Sequence, residues 1–175
     1  ADTQWMPRTG PLDWQIDFED FAVVGLDSLT ENAAHGTLEP ATLSFLTDAL
    51  SGLGDKPAIV GFHHPPFAVG IRAMDAQNLH DADSLGTALS LHSGQVRLVC
   101  GHLHRSIAGL FSGSLCQVCP GTSHAVTLDQ RTNAGNSLTK EPGGMLLHEW
   151  RDNGFLTHLI PVGTFPGPYP FLGVS

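Results

Sequence analysis

The residues best suited to chemistry in this chain are histidines, and they fall in two clusters. One is Gly61-Phe62-His63-His64-Pro65-Pro66 and the other is Gly101-His102-Leu103-His104. Neutral imidazole is a common metal ligand. In extended chain, residues i and i+2 point to the same side, so His102 and His104 are expected to aim two rings at one locality. Gly101 lets the backbone turn there, and Pro65-Pro66 stiffen the other loop. Adjacent His63 and His64 cannot both face one point in extended chain, so one is expected to be a ligand and the other a neighbour. A lone His-x-His is weak evidence for a metal, and a lone histidine beside an apolar strand is more often a hydrogen-bonded structural residue. Two clusters, each closing an apolar strand, favour the metal reading.

The three cysteines, Cys100, Cys116 and Cys119, make no disulfide framework. Cys116-x-x-Cys119 has zinc or redox spacing. No second such pair and no following helix pattern accompany it, and Leu115, Val118 and Pro120 read as the end of a strand. Buried strand cysteines are the preferred reading. A cysteine–histidine hydrolase using Cys100 beside His102 is a further, disfavoured one.

The elements that position the clusters follow from periodicity. Asp17 to Leu26 reads as a strand, broken by Asp27-Ser28. Pro40 suits a first helical position, and Leu43, Leu46, Leu50 and Leu53 recur at helical spacing, predicting a helix over 41–53. Ala58 to Phe62 is a short apolar run that ends at the first cluster. Asp83 is a candidate N-cap for a helix through Leu91. Val96 to Cys100 is a strand that ends at the second cluster. Ligand sites gather where such strands run out, so His63, His102 and His104 are expected to converge. Hairpins follow: Ile107–Phe111 with Ser114–Val118 across Ser112-Gly113, and Met145–Trp150 with Phe155–Ile160. Residues 129–144 read as a long polar loop. Ala1 to Pro11 reads as loop. The tail from Gly163 holds Pro166, Pro168 and Pro170, and its Phe165, Tyr169 and Phe171 suggest a docked extended segment. The order predicts a mixed α/β fold.

Composition narrows the function. Hydrophobic residues make up 41% and charged residues 14% of 175, enough apolar matter for a core. The formal charge of −9, with no Lys/Arg cluster, excludes a nucleic-acid polymer as the expected partner. An anionic substrate would need a local positive centre, which metal ions can supply. No apolar run is long enough to span a membrane and no secretory leader is evident, so a cytoplasmic location without membrane contact is expected.

A Gly-apolar-His-His-Pro-Pro loop followed by Gly-His-Leu-His resembles the last two motifs of the calcineurin-like metallophosphoesterases. Val24-Gly25-Leu26-Asp27-Ser28, Gly36-Thr37-Leu38, Met74-Asp75, Cys119-Pro120-Gly121-Thr122-Ser123-His124, Glu141-Pro142-Gly143-Gly144 and Gly167-Pro168-Tyr169-Pro170-Phe171 resemble the branch of class III cyclic-nucleotide phosphodiesterases and bacterial glycerophosphodiesterases. The resemblance runs from about Phe21 to the end of the chain. It implies a four-layer αββα sandwich, to which residues 1–162 contribute the C-terminal sheet and its helices, with 163–175 as a docked tail. It implies a binuclear centre of Fe, Mn, Zn or Co, with His63 and His102 on one ion and His104 on the other. His64, Met74, Asp75, His80 and His124 are the candidates for the pocket wall. The family's Asp-x-His, Gly-Asp and Asn-His motifs have no counterpart here, so the chain is read as the C-terminal part of a longer polypeptide.

The implied activity is hydrolysis of a small phosphodiester, a cyclic nucleotide or a glycerophosphodiester, by the full-length protein. The alternative is an inactive metal-binding or oligomerisation fragment. The expected partner is the missing N-terminal half or a second copy of the chain in a homo-oligomer. Apolar surface is expected to lie exposed beside the two histidine loops.

Overall fold

A computed structural model of the chain describes residues 12–152 and 154–170. The expected loop at 1–11 and the end of the tail, with Phe171, lie outside the described residues. The expected strand from Asp17 to Leu26 is two strands, β1 (Trp14–Asp17) and β2 (Ala22–Gly25), paired antiparallel. The polar Glu19-Asp20 falls in the turn between them, closed by Phe18 N–H donating to the Phe21 carbonyl at 2.9 Å.

Helix α1 (Pro40–Leu53) begins at its proline and ends at Gly54, whose φ of 65° suits a residue without a Cβ. β3 (Ala58–Gly61) follows. A single helical turn, α2 (Arg72–Asp75), was not foreseen. Helix α3 (Ala82–Ser90) starts one residue before the expected cap at Asp83 and has no side-chain cap. Then come β4 (Val96–Cys100), β5 (Ile107–Phe111) and β6 (Ser114–Val118). The first six strands form one sheet in the order β1-β2-β3-β4-β6-β5, parallel through β2, β3, β4 and β6, with antiparallel edges.

Inside the polar stretch 129–144 the chain is less irregular than expected. β8 (Leu138–Thr139) pairs with β7 (Ala125–Val126). The last hairpin is β9 (Gly144–Arg151) with β10 (Gly154–Pro161), slightly longer than its hydrophobic pattern suggested. Among the described residues no helix is long and apolar enough to cross a membrane.

Side chains alternate across a sheet, and the alternation explains the layers. Val24, Val60, Leu98 and Cys116 face α1 and α3 and join Leu46, Leu50, Leu85 and Leu89 in the core. Arg97 sits in the opposite row. It is buried, and its guanidinium donates to Gln117 Oε1, Thr157 Oγ1 and the Phe155 carbonyl at 2.8, 2.9 and 3.0 Å. These bonds tie the β9–β10 hairpin across the second face of the sheet. Phe21, Trp150 and Phe155 pack together at the same end, with centroids 4.8–6.2 Å apart.

Beside the histidine loops Leu29 and Leu138 are 68% and 65% accessible, as expected of apolar exposure there. The hairpin covers the other face of the sheet, and further apolar exposure lies on the hairpin's own outer side. There Met145, Leu147, Leu156 and Ile160 share one face and are 38–48% accessible. The described part of the tail, 163–170, is exposed throughout, with Phe165 and Tyr169 in solvent rather than seated on the body.

Candidate metal centre

Both histidine loops leave the same end of the sheet, because β3 and β4 are parallel neighbours. The ladder continues past the strands: Phe62 N–H bonds the Val99 carbonyl at 3.1 Å and Gly101 N–H bonds the His63 carbonyl at 3.0 Å. This holds the loops level and brings His63 Nε2 to 3.3 Å from His102 Nδ1. Gly101 packs beside the His63 ring, where a Cβ would make an ordinary contact with Nδ1 at 3.4 Å.

His64 joins them. Ligand atoms of His63, His64 and His102 all lie within 4.8 Å of one another. The adjacent pair reaches one place because the chain is bent, not extended, and the two rings stand at 90°. His64 is also the most enclosed of the group, at 6% exposure. Its Nδ1 lies 2.9 Å from Ser28 Oγ, and that same oxygen accepts the His63 N–H at 3.2 Å. Gly36 lies against the ring on the other side, where a Cβ would fall 2.3 Å from Nδ1.

The His-x-His loop does not follow strand alternation, and among the described residues His104 does not join the group of His63, His64 and His102. His102 and His104 both have left-handed backbone, with φ of 69° and 53°. Leu103 between them is fully buried and anchors the loop. His104 turns towards His124, with ring centroids 4.5 Å apart. His102 Nε2 and His104 Nδ1 are buried without a hydrogen-bond partner.

Burial is the main cause that lowers the pKa of His63, His64 and His102, and neighbouring imidazoles add to it. His64 is held down to about 4. Neutral imidazoles offer lone pairs to a cation, and the two orphaned nitrogens still lack partners, so the group is chemically suited to a metal ion. Among the described residues the three-membered group contains no carboxylate.

The expected pocket residues divide. Met74 and His124 line one cavity of about 310 Å³ with His102 and His104. Asp75 does not, because its two oxygens accept the Val69 and Gly70 N–H groups at 2.7 and 3.0 Å and so shape a neighbouring loop. His80 stacks on His35 at 3.9 Å and 2°, on the rim. Sequence reasoning gave no site role to Ser28 and Gly36, which entered only as a strand breaker and in stretches of the family resemblance, nor to Asn136 and Ser137. The Cys116 thiol faces Cys100 Sγ at 3.7 Å rather than Cys119. Burial and that neighbour hold the Cys100 thiol far above its usual range, which removes it as a nucleophile.

No family model matches the chain. It is 33% identical over 169 residues to the probable glycerophosphodiester phosphodiesterase GpdQ of Arcobacter nitrofigilis, covering 95% of this chain and 62% of that protein. It is 30% identical over 167 residues to the glycerophosphodiester phosphodiesterase GpdQ of Enterobacter lignolyticus, covering 93% and 60%. With the 3',5'-cyclic adenosine monophosphate phosphodiesterase CpdA of Pseudomonas aeruginosa it shares 32% over 127 residues, covering 68% and 46%. The chain thus spans 46–62% of the length of these relatives, over their C-terminal part. Among solved structures, GAP50, the anchor in the inner membrane complex of Plasmodium, shares the fold with a TM-score of 0.60 at 15% identity, covering 90% of this chain and 52% of that one.

Proposed function

Because this chain belongs to the calcineurin-like metallophosphoesterase superfamily, in the branch of glycerophosphodiester and cyclic-nucleotide phosphodiesterases, we propose that the natural full-length protein is a metal-dependent phosphodiesterase. This chain supplies the histidine part of its centre. The observation that carries the reading is the 3.3 Å approach of His63 Nε2 to His102 Nδ1, made by two loops from neighbouring parallel strands.

In this reading His63 and His102 hold one ion and His104 the second. Imidazole suits Fe, Mn, Zn or Co alike. His64 acts as the positioning neighbour, since its Nδ1 is engaged by Ser28. When bound, two such ions supply Lewis-acid stabilisation of a phosphoryl group and a water of lowered pKa. The chain's own contribution is order. Ser28 fixes the His63 backbone and the His64 ring together, and the parallel ladder fixes the spacing of the loops. Burial lowers the pKa of His63, His64 and His102, which keeps their lone pairs available.

The chain is acidic overall, with a formal charge of −9. Lys56, Arg105, Arg131 and Arg151 each pair with a carboxylate, and Arg97 is turned into the hairpin contact. Metal ions at the histidine loops would add the local positive field that draws a phosphodiester in.

The test is the full-length gene product, assayed with added Mn²⁺ against phosphomonoesters and phosphodiesters. Diester hydrolysis that a chelator abolishes and Mn²⁺ restores is expected, with His63→Ala and His102→Ala lowering it at least a hundredfold, about 2.7 kcal/mol in the barrier. Hydrolysis indifferent to chelator would end the reading. The 175-residue chain alone should show little or no turnover, because its histidine group carries no bridging carboxylate. Full turnover by this chain, its mass confirmed, would show that the centre is complete within it.

A further inference from the structure

We propose that the cavity between His102, His104 and His124 on one side and Asn136 and Ser137 on the other receives the hydroxyl-bearing alcohol of the diester, with Asn136 as its specificity-determining residue. The inference rests on the phosphodiesterase reading above and names the part of the substrate that the site selects.

Three observations meet there. The cavity adjoins the candidate centre directly, because His102 and His104 form part of its wall. Its floor is apolar, from Met74, Val126 and Leu138, and suits the carbon skeleton of a polyol. Its remaining wall is polar: Asn136 offers an amide with two donors and an acceptor, and Ser137 a hydroxyl. Neither side chain is used in a hydrogen bond among the described residues, so both are free for a ligand.

The segment is placed by backbone, not by those side chains. β8 pairs with β7 through Val126 and Leu138, and Thr127 N–H bonds the Ser137 carbonyl at 2.9 Å. Truncating Asn136 or Ser137 should therefore leave the wall standing.

The cavity measures about 310 Å³ and is open to solvent on one side, so a glycerol or a ribose fits. The other hollows serve less well. A larger one of about 530 Å³ along Phe67, Val69 and Leu110 has no histidine on its wall. A smaller one shares His104 and His124, but its Arg105 is committed to Glu141 by two bonds of 2.9–3.0 Å.

The experiment compares kcat/KM of the full-length protein, with Mn²⁺, for glycerophosphocholine and for bis(p-nitrophenyl) phosphate, which carries no hydroxyl. One exposed hydrogen bond is worth about 0.5–1.5 kcal/mol, so Asn136→Ala should cut the preference for the glycerol ester about three- to tenfold, chiefly through KM. Asn136→Gln, which keeps the amide, should recover part of it. Asn136→Ser, short and polar, replaces the alanine variant if that one melts below the parent. An unchanged preference in Asn136→Ala overturns the inference, whatever Ser137→Ala does, and leaves the phosphodiesterase reading standing. A parent protein that hydrolyses neither ester overturns both.

Discussion

At the scale of the residue, His64 and Ser28 decide how firmly the centre is built. Folded His64 stays neutral down to about pH 4, whereas in the unfolded chain it takes a proton near pH 6.5. Between those values the unfolded chain binds more protons, so stability falls as pH falls through that window and is intact above it. His63 and His102, also lowered by burial, act in the same direction. Urea midpoints recorded from pH 7.5 to 4.5 should therefore drop, and His64→Gln should flatten the drop. A parallel profile in the variant would assign the loss to other groups. Ser28 accepts one bond and meets His64 with another while 2% exposed. Ser28→Ala should cost about 1–3 kcal/mol in urea unfolding and weaken Mn²⁺ or Zn²⁺ binding to the full-length protein about tenfold by calorimetry; an unchanged affinity would make Ser28 purely structural. The meeting of the two histidine loops was legible because each closes an apolar strand, but it is His64 rather than His104 that groups with His63 and His102. Ser28 was not, because a serine after a strand is common and its partner lies thirty-six positions away.

At the scale of the element, legibility followed the length of the apolar run. Ala58–Phe62 and Val96–Cys100 are continuous and need no partner to be recognised as strands. Pro40 and the leucine spacing marked α1 to the residue. The β7–β8 pair escaped because two-residue strands have no periodicity; a long-range pairing creates them. The run Asp17–Leu26 misled because Phe18 and Phe21 continue the apolar pattern through what is a turn, where they stack at 4.9 Å. Arg97 lies inside the run Val96–Cys100 and carried no signal of its own. It is the polar rivet between sheet and hairpin. Arg97→Ala removes the side-chain donor of the Phe155 carbonyl, while Gln117 and Thr157 keep each other, and should cost about 1–3 kcal/mol. Hydrogen exchange should speed up in β9 and β10 ahead of β3. Uniform protection across both would show that the aromatic contacts of Phe21, Trp150 and Phe155 suffice without it.

At the scale of the whole molecule, the outer face of the hairpin sets the solution behaviour of this chain. Two strands with unpaired edges, whose outer side sets Met145, Leu147, Leu156 and Ile160 around the Glu149–His158 pair, are a poor surface to leave in water. The 175-residue chain alone should self-associate or bind 8-anilinonaphthalene-1-sulfonate, and Leu147→Lys with Leu156→Lys should reduce both in sedimentation and fluorescence; a monodisperse, dye-silent parent would refute this. A different consequence comes from the left-handed His-x-His loop. Glycine adopts that backbone freely, whereas other residues give up about 1 kcal/mol or more each, and glycine would also delete the two orphaned buried nitrogens. The chain with both His102→Gly and His104→Gly should then melt higher than its parent in chelator. If the loop does hold metal, saturating Mn²⁺ should raise the parent alone, since only a bound state adds stability by mass action. The two melting curves should exchange order as metal is added, so the concentration at which they cross would measure what the fold gives up to keep its ligands ready.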